Sequence, residues 1–288
     1  GGLAILFRSV IAGVSVVLHE VFDPARVNRA IEEDRVTLVS VVANLLGRML
    51  ETRGDRAYPP TLRCVLLGGG PAPRPLLADC LRRGVPVAPT YGLTEAASQV
   101  TTLLPEDLPR HLGSAGKPLP PTEVRIERDG RPVPPGEVGE IAVRGPTVTP
   151  GYVGAEAEGD EIRPDGRLRT GDLGRLDGEG YLYVLDRRDD LIVSGGENVS
   201  PAEVEAVLLA HPAVEEAAVV GVPDERWGAV PVAFVRRRAG WVTTEHELLA
   251  FCAARLAAFK RPRRIEWVDA VPRNAAGKLL RRELRTDA

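Results

Sequence analysis

Up to about residue 100, the hydrophobic positions alternate between short apolar runs and longer stretches with helical spacing. The apolar runs predict buried strands at residues 14–18, 36–42, 63–67 and 85–88, and the other stretches predict helices at 24–34, 45–52 and 73–83. Strands that alternate with helices are joined by crossover connections and run parallel. This part of the chain is therefore expected to form a parallel sheet covered by helices.

The pattern changes twice further along the chain. Helical spacing fades from about residue 112, and after a charged run at 186–190 two capping-box sequences, at Ser200 and Thr244, begin helices, the second reaching about residue 259. Further strands are expected at 123–127, 139–143, 181–185, 214–222, 230–236 and 265–268. The fold class predicted is α/β: a partial large domain at 1–186, with α/β sheet layers and a small β subdomain, followed by a compact α+β domain at 187–288.

Composition narrows the class of protein. Of the 288 residues, 44% are hydrophobic and 27% are charged, which is typical of a globular protein, and the apolar runs are too short to cross a bilayer. The net charge of -3 offers no basic excess for nucleic acid, so a small molecule is the expected partner. The three cysteines are far apart and lack metal-ligand spacing, which predicts reduced core residues in a cytoplasmic protein.

Two segments after predicted strands carry candidate chemistry. Glycines at 68–70 would let a ligand approach the backbone, although a simple tight turn would also use them. In the segment from Thr90 to Glu95, an aromatic face, a hydroxyl and a carboxylate could stack on a base, bind a phosphate oxygen and hold Mg²⁺. A polar strand-to-helix turn is the alternative for this segment.

Four motifs follow one another in a characteristic order. They are YGLTE at 91–95, RTGD at 169–172, DRRDDLIVSGGENVS at 186–200 and NAAGK at 274–278. In order and approximate spacing they resemble the adenylate-forming superfamily of acyl-CoA synthetases, luciferases and nonribosomal-peptide adenylation domains. Most acyl-CoA synthetases have Gly-Arg where this chain has Asp186-Arg187. With GGGPAP, LGSAGKPL and VPRNAAGKLLR, this departure makes the chain most similar to the o-succinylbenzoate-CoA ligases of menaquinone biosynthesis.

The resemblance implies an enzyme that uses ATP and Mg²⁺ to form an acyl-adenylate and CoA to form a thioester. Tyr91 would lie against adenine, Thr94 would meet the α-phosphate and Glu95 would coordinate Mg²⁺. Asp172 would accept hydrogen bonds from both ribose hydroxyls, which Arg187 would also contact. Further nucleotide- or CoA-binding positions implied are Gly69, Gly70, Pro71, Ala72, Thr90, Gly92, Ser194, Gly195, Gly196 and Trp227.

The family's two half-reactions imply roles for two residues of the second domain. Lys278 would neutralise the oxygens that meet when a carboxylate attacks the α-phosphorus, and Asp189 would be the hinge about which the small domain swings. The only other lysines, Lys117 and Lys260, are interpreted as structural or exposed. Trp227 could pack on the adenine of CoA or belong to the core of the small domain.

Several alternatives stay open. The substrate could be a simple aryl or medium-chain acid rather than o-succinylbenzoate. Family members carry an upstream phosphate loop, and this chain begins Gly-Gly with Met49 as its only methionine, so it is expected to be the carboxyl-terminal part of a ligase. The isolated piece could then be impaired or inactive, keeping only residual AMP or CoA binding, and exposed apolar faces would favour a homo-oligomer.

Overall fold

The structure, a computed structural model, describes residues 2–70, 72–151, 162–187, 190–274 and 279–285. Its helices are α1 (Gly2–Ala12), α2 (Pro24–Glu33), α3 (Ala43–Arg53), α4 (Arg74–Arg82), α5 (Pro201–Leu209), α6 (Glu245–Ala253) and α7 (Arg281–Arg285). Among the described helices, each is too short or too polar to cross a membrane. Strands in the same residues form three sheets.

The first sheet has the predicted parallel strands at its centre. Its strands, in order, are β1 (Leu38–Val41), β2 (Cys64–Leu67), β3 (Val87–Leu93), β4 (Ser98–Thr102) and β5 (Lys117–Pro118). β1, β2 and β3 run parallel, whereas β4 and β5 are antiparallel. Helices α2, α3 and α4 bury Ile31, Leu46 and Leu77 against Val65 and Val87 of the sheet. The carboxyl ends of β2 and β3 therefore share one edge.

The prediction of a strand at residues 14–18 is wrong. These residues follow α1, a helix that the pattern did not predict, as irregular chain, and Val14 and Leu18 are 58% and 71% exposed. Gly13 adopts φ +65°, a left-handed conformation that ends the helix. An apolar run becomes a strand only where a neighbouring backbone pairs with it, and in the described residues this run joins no ladder.

The second sheet is the predicted small β subdomain. Its strands are β6 (Glu123–Arg128), β7 (Arg131–Pro132), β8 (Gly139–Arg144), β9 (Leu168–Leu176) and β10 (Leu182–Arg187), in the order β10-β9-β8-β6-β7. Every pairing in it is antiparallel. β9 was not predicted, because glycines and charges interrupt its apolar positions. This strand nevertheless carries Asp172.

The third sheet belongs to the predicted α+β domain. Its strands are β11 (Ile192–Ser194), β12 (Glu197–Val199), β13 (Val214–Asp224), β14 (Gly228–Arg237) and β15 (Ile265–Trp267). Both predicted helix starts are present, and Thr244 forms a complete capping box with Glu247. At α5, Ser200 Oγ accepts from the amide of Glu203 (3.3 Å), but the Glu203 carboxylate binds Lys260 Nζ instead (2.7 Å).

The second of these helices ends earlier than predicted. α6 stops at Ala253, and a short 3₁₀ turn at Ala258–Lys260 follows rather than a continuous helix. Ala257, whose ψ of 152° is not helical, precedes the 3₁₀ turn and separates it from α6. Local apolar spacing did not reveal this change of backbone conformation.

Burial makes the three thiols poor nucleophiles. It raises the pKa of Cys80 to about 12 and that of Cys252 to about 11, and it also raises the pKa of half-buried Cys64. At pH 8 we therefore expect iodoacetamide to modify Cys80 and Cys252 at least about 100-fold more slowly in the native protein than in urea. Peptide mass spectrometry of timed samples measures this, and equal native and denatured rates at Cys80 would contradict it.

Candidate nucleotide-binding site

The segment with the richest side-chain chemistry continues a strand of the parallel sheet. β3 runs beyond the predicted 85–88 through Thr90, Tyr91 and Gly92, pairing with β2 before this point and with β4 along it. Thr90 Oγ1 donates to the carbonyl of Thr101 (2.7 Å), so its hydroxyl helps to join β3 to β4. The pairing fixes the direction in which the following residues leave the sheet.

The turn after β3 is tightly constrained. Thr94–Ala96 form one 3₁₀ turn, and Ala97 and Ser98 then adopt φ of 54° and 120°, which residues with a Cβ rarely do. Thr94 is exposed and Glu95 half-buried, while the Glu95 carbonyl accepts from the amide of Thr149 (2.7 Å). Two consecutive strained residues indicate a turn held in one conformation, as at ligand sites. The turn thus holds a hydroxyl and a carboxylate at the edge of the sheet.

The same turn makes Gly92 irreplaceable. A Cβ on Gly92 would lie 1.8 Å from the carbonyl oxygen of Ser98, a backbone atom that cannot rotate away. We expect Gly92→Ala to lower the free energy of unfolding by about 3 kcal/mol or more in urea titrations. Gly47→Ala is the matched control: nothing lies within 4 Å of its added Cβ in α3, and it should stabilise the protein by about 0.5–1 kcal/mol. A loss within about 0.5 kcal/mol at Gly92 would contradict this account.

Tyr91 meets a carboxylate from a different sheet. Its hydroxyl donates to Asp172 Oδ2 at 2.6 Å, although 81 positions separate the two residues in the chain. Asp172 is 8% exposed, and Thr170 Oγ1 accepts from its amide (3.1 Å). In the β9–β10 ladder Arg187 stands opposite Asp172. Tyr91, Asp172 and the backbone of Arg187 therefore form one cluster, and the Arg187 side chain lies outside the description.

The glycine-rich turn lies at the neighbouring strand end. Gly69 follows β2 with φ +85°, and a Cβ there would come within 3.0 Å of Val42 Cγ1. Gly70 is exposed and Ala72 is half-buried, while Pro71 lies outside the described residues. The turn leaves exposed backbone beside the end of β3, which a flat ligand could approach.

A second surface lies on the third sheet. Gly195 and Gly196, both with positive φ, form the two-residue turn between β11 and β12, which Ser194 precedes. The Trp227 ring covers this turn, because a Cβ on Gly195 would be 2.7 Å from it. Trp227 is 37% exposed and has the guanidinium carbons of Arg226 and Arg263 at 4.9 and 5.9 Å from its ring centroid. Trp227 is therefore partly buried against this turn and partly exposed beside two cations.

Asp186 has a role that the sequence did not predict. Its carboxylate is buried and accepts from Ser200 Oγ (2.8 Å) and the amide of Ala202 (3.1 Å), at the positive end of the α5 dipole. It thereby joins β10 to the first turn of α5. The only available signal was the aspartate at a position where most acyl-CoA synthetases have glycine. Lys278 and the predicted hinge Asp189 lie outside the described residues.

Comparison with known proteins identifies the family that the chain matches. Residues 1–153 match the family of AMP-binding enzymes, and residues 203–278 match the C-terminal domain of AMP-binding enzymes. A 2-succinylbenzoate–CoA ligase of Geobacillus kaustophilus (strain HTA426) is 58% identical over 285 residues, which are 99% of this chain and 58% of the relative. The chain thus spans a little under three-fifths of that protein's length.

Two solved structures of the o-succinylbenzoate CoA synthetase from Bacillus subtilis resemble this chain to different degrees. The complex with the acyl-adenylate OSB-AMP has a TM-score of 0.91 at 50% identity, covering 99% of this chain and 58% of that one. A double mutant bound to the product analogue OSB-NCoA has a TM-score of 0.64 at 50% identity, covering 100% and 58%. The predicted α/β fold class is confirmed by the first match, and the TM-score is higher for the acyl-adenylate complex than for the double mutant.

Proposed function

This chain belongs to the AMP-binding enzyme family, and from that premise we propose that the protein is an ATP-dependent acid–thiol ligase. In the first step a carboxylate oxygen attacks the α-phosphorus of ATP, giving an acyl-adenylate and releasing pyrophosphate. In the second, the CoA sulfur attacks the acyl carbon, the thiol proton is lost, and AMP leaves with the electrons of the broken C–O bond. The acid we propose is o-succinylbenzoate.

The hydrogen bond between Tyr91 and Asp172 is the observation that carries this proposal. It brings an aromatic ring and a buried carboxylate together at the edge where β2 and β3 end, beside the exposed backbone of Gly69 and Gly70. A ring face binds a base, and a carboxylate accepts hydrogen bonds from two vicinal hydroxyls. This combination suits adenosine, with adenine between Tyr91 and the glycine turn and the ribose on Asp172.

The turn after β3 would serve the phosphates. Thr94 would donate its hydroxyl to the α-phosphate, and the half-buried Glu95 carboxylate offers the hard oxygen ligands that Mg²⁺ prefers. When bound, Mg²⁺ offsets the charge of the departing pyrophosphate. Lys278 would place an ammonium between the attacking carboxylate and the α-phosphate, because a compact charge reaches both oxygens better than a planar guanidinium.

The second half-reaction would use the third sheet. We propose that residues 187–288 form a mobile domain that turns about Asp189 relative to residues 1–186. The TM-scores of 0.91 and 0.64 against two complexes of one relative support two arrangements of these parts. In the second arrangement, the Ser194–Gly196 turn would line the path of the thiol arm. Trp227, flanked by Arg226 and Arg263, would meet the nucleotide end of CoA.

Two observations support o-succinylbenzoate as the acid. The Geobacillus kaustophilus relative is a 2-succinylbenzoate–CoA ligase, and Asp186 makes this chain depart from general acyl-CoA synthetases. A simple aryl or medium-chain acid is the second candidate. Ser98, which belongs to the strained turn, and Gln99, which follows it, would face either acid. A cytoplasmic location and a homo-oligomer stay predictions.

Carboxylate-dependent exchange of labelled pyrophosphate into ATP, followed by CoA thioester formation, tests the function. We expect o-succinylbenzoate to support both reactions with a kcat/KM at least about 10-fold above benzoate and octanoate, since its second carboxylate adds charged contacts. Preference for octanoate or benzoate would overturn the choice of acid. Absence of exchange with all three acids, with AMP binding retained, would instead favour a non-catalytic nucleotide-binding chain.

A further inference from the structure

A largely buried arginine connects the last helix to two other parts of the third sheet's domain. Arg281, the first residue of α7, is 13% exposed, and its guanidinium makes three contacts of 2.8–3.3 Å with the carboxylate of Glu205 in α5. Arg281 Nη1 also donates to Asp190 Oδ2 at 3.2 Å. One planar cation therefore holds α7, α5 and residue 190 together.

The charged form of the Glu205 carboxyl is stabilised by the guanidinium of Arg281. Burial raises the pKa of its carboxyl above the usual range, and the charge of Arg281 opposes that shift. The carboxylate also accepts from the amide of Val219 in β13 (2.9 Å), so the cluster is attached to the sheet itself. Without the guanidinium, a buried carboxylate would lose its main compensation.

Two members of this cluster, Arg281 and Asp190, lie close in sequence to the residues for which the proposed function gives a catalytic role and a hinge. Arg281 comes three residues after Lys278, and Asp190 directly follows Asp189. On either side of 275–278 the chain is fixed, because Arg273 forms a β-bridge with Leu279 and the amide of Leu280 donates to the carbonyl of Pro272 (2.9 Å). Arg281, which contacts Glu205 and Asp190, is the next residue after these two backbone contacts.

We propose that Arg281 is a positioning residue for Lys278. Its bidentate contact with Glu205 and its bond to Asp190 fix the base of the lysine-bearing segment to the same body as the chain after the hinge. The residues that flank 275–278 then keep their place on the domain when the domain turns. This inference rests on the proposed function, in which Lys278 serves only the adenylation step.

Arg281→Lys tests it, because lysine keeps the charge but cannot make the two-pronged contact. In the full-length protein we expect the kcat of pyrophosphate exchange to fall at least about 10-fold, with the KM for ATP and thioester formation from supplied acyl-adenylate each within about twofold. Arg282→Lys, at an exposed position of the same helix, is the matched control and should behave as the unsubstituted protein. Glu205→Gln, which removes the partner's charge, should repeat the split if Arg281→Lys fails to fold.

Equal losses in both half-reactions would assign Arg281 a merely structural role and overturn the proposal, as would unchanged exchange. Hydrogen exchange gives a readout that needs no activity: Arg281→Lys should speed exchange in the peptide 279–285, and Arg282→Lys should not. Retained protection in that peptide would overturn the anchoring whatever the enzyme does. Absence of both half-reactions in the unsubstituted protein would count against the proposed function alone.

Discussion

Replacing Lys278 with alanine in the full-length protein should reduce acyl-adenylate formation by about 100- to 1,000-fold and leave thioester formation from a supplied acyl-adenylate nearly unchanged. Negative charge from the carboxylate and the α-phosphate meets only in the first step, so only that step needs an ammonium between them. Pyrophosphate exchange measures the first half-reaction, and release of AMP from synthetic o-succinylbenzoyl-adenylate and CoA measures the second.

Lys260→Ala is the matched control for this experiment. It removes the same side chain, but Lys260 Nζ binds both carboxylate oxygens of Glu203 at 2.7 and 2.8 Å, which gives it a structural partner in α5. Exchange should therefore stay within about twofold of the unsubstituted protein, because a partly exposed ion pair contributes little to stability. Equal loss of both half-reactions in Lys278→Ala, or equal loss of exchange in the two variants, would refute the role given to Lys278.

The predictable part of the fold was the part that hydrophobic burial dictates. β1, β2 and β3 are apolar runs flanked by helical stretches, which is the pattern of parallel strands joined by crossover helices, and Val41, Val65 and Val87 are buried. β9 lacks this signal, since Gly171 and Gly174 interrupt it and Asp172 occupies a buried position in its middle. Its neighbours in the sheet, rather than its own composition, make it a strand.

The candidate site was only partly predictable for a related reason. The sequence placed the glycine turn and the 91–95 segment at one sheet edge, because both follow parallel strands. It could not place Asp172 beside Tyr91, since their contact joins strands of two different sheets. Only resemblance connected the two residues, and it assigned them separate roles on the nucleotide without predicting the bond between them. The Asp186–Ser200 bond is likewise a long-range contact that local pattern does not encode.

Asp172→Asn should weaken ATP and AMP binding by about 10- to 100-fold while kcat at saturating ATP changes little. A carboxylate accepts from two ribose hydroxyls, whereas an amide presents one oxygen and a donor, and a hydrogen bond to a charged group contributes about 1.5–3 kcal/mol. Calorimetric titration with AMP and the KM for ATP measure the effect. Asp79→Asn, which removes a carboxylate of α4 that pairs with Arg83, is the control and should bind AMP normally.

Tyr91→Phe then separates the ring from its hydroxyl. Phenylalanine keeps the face available to adenine but loses the 2.6 Å bond to Asp172, so we expect a loss of AMP affinity of about 3- to 10-fold, smaller than that of Asp172→Asn. If the hydroxyl acts by holding the carboxylate in place, the double variant should bind no more weakly than Asp172→Asn alone, because the second change has nothing left to position. Additive losses would mean that Tyr91 and Asp172 contact the nucleotide independently. If Asp172→Asn left the affinity for AMP unchanged, Asp172 would not bind the ribose.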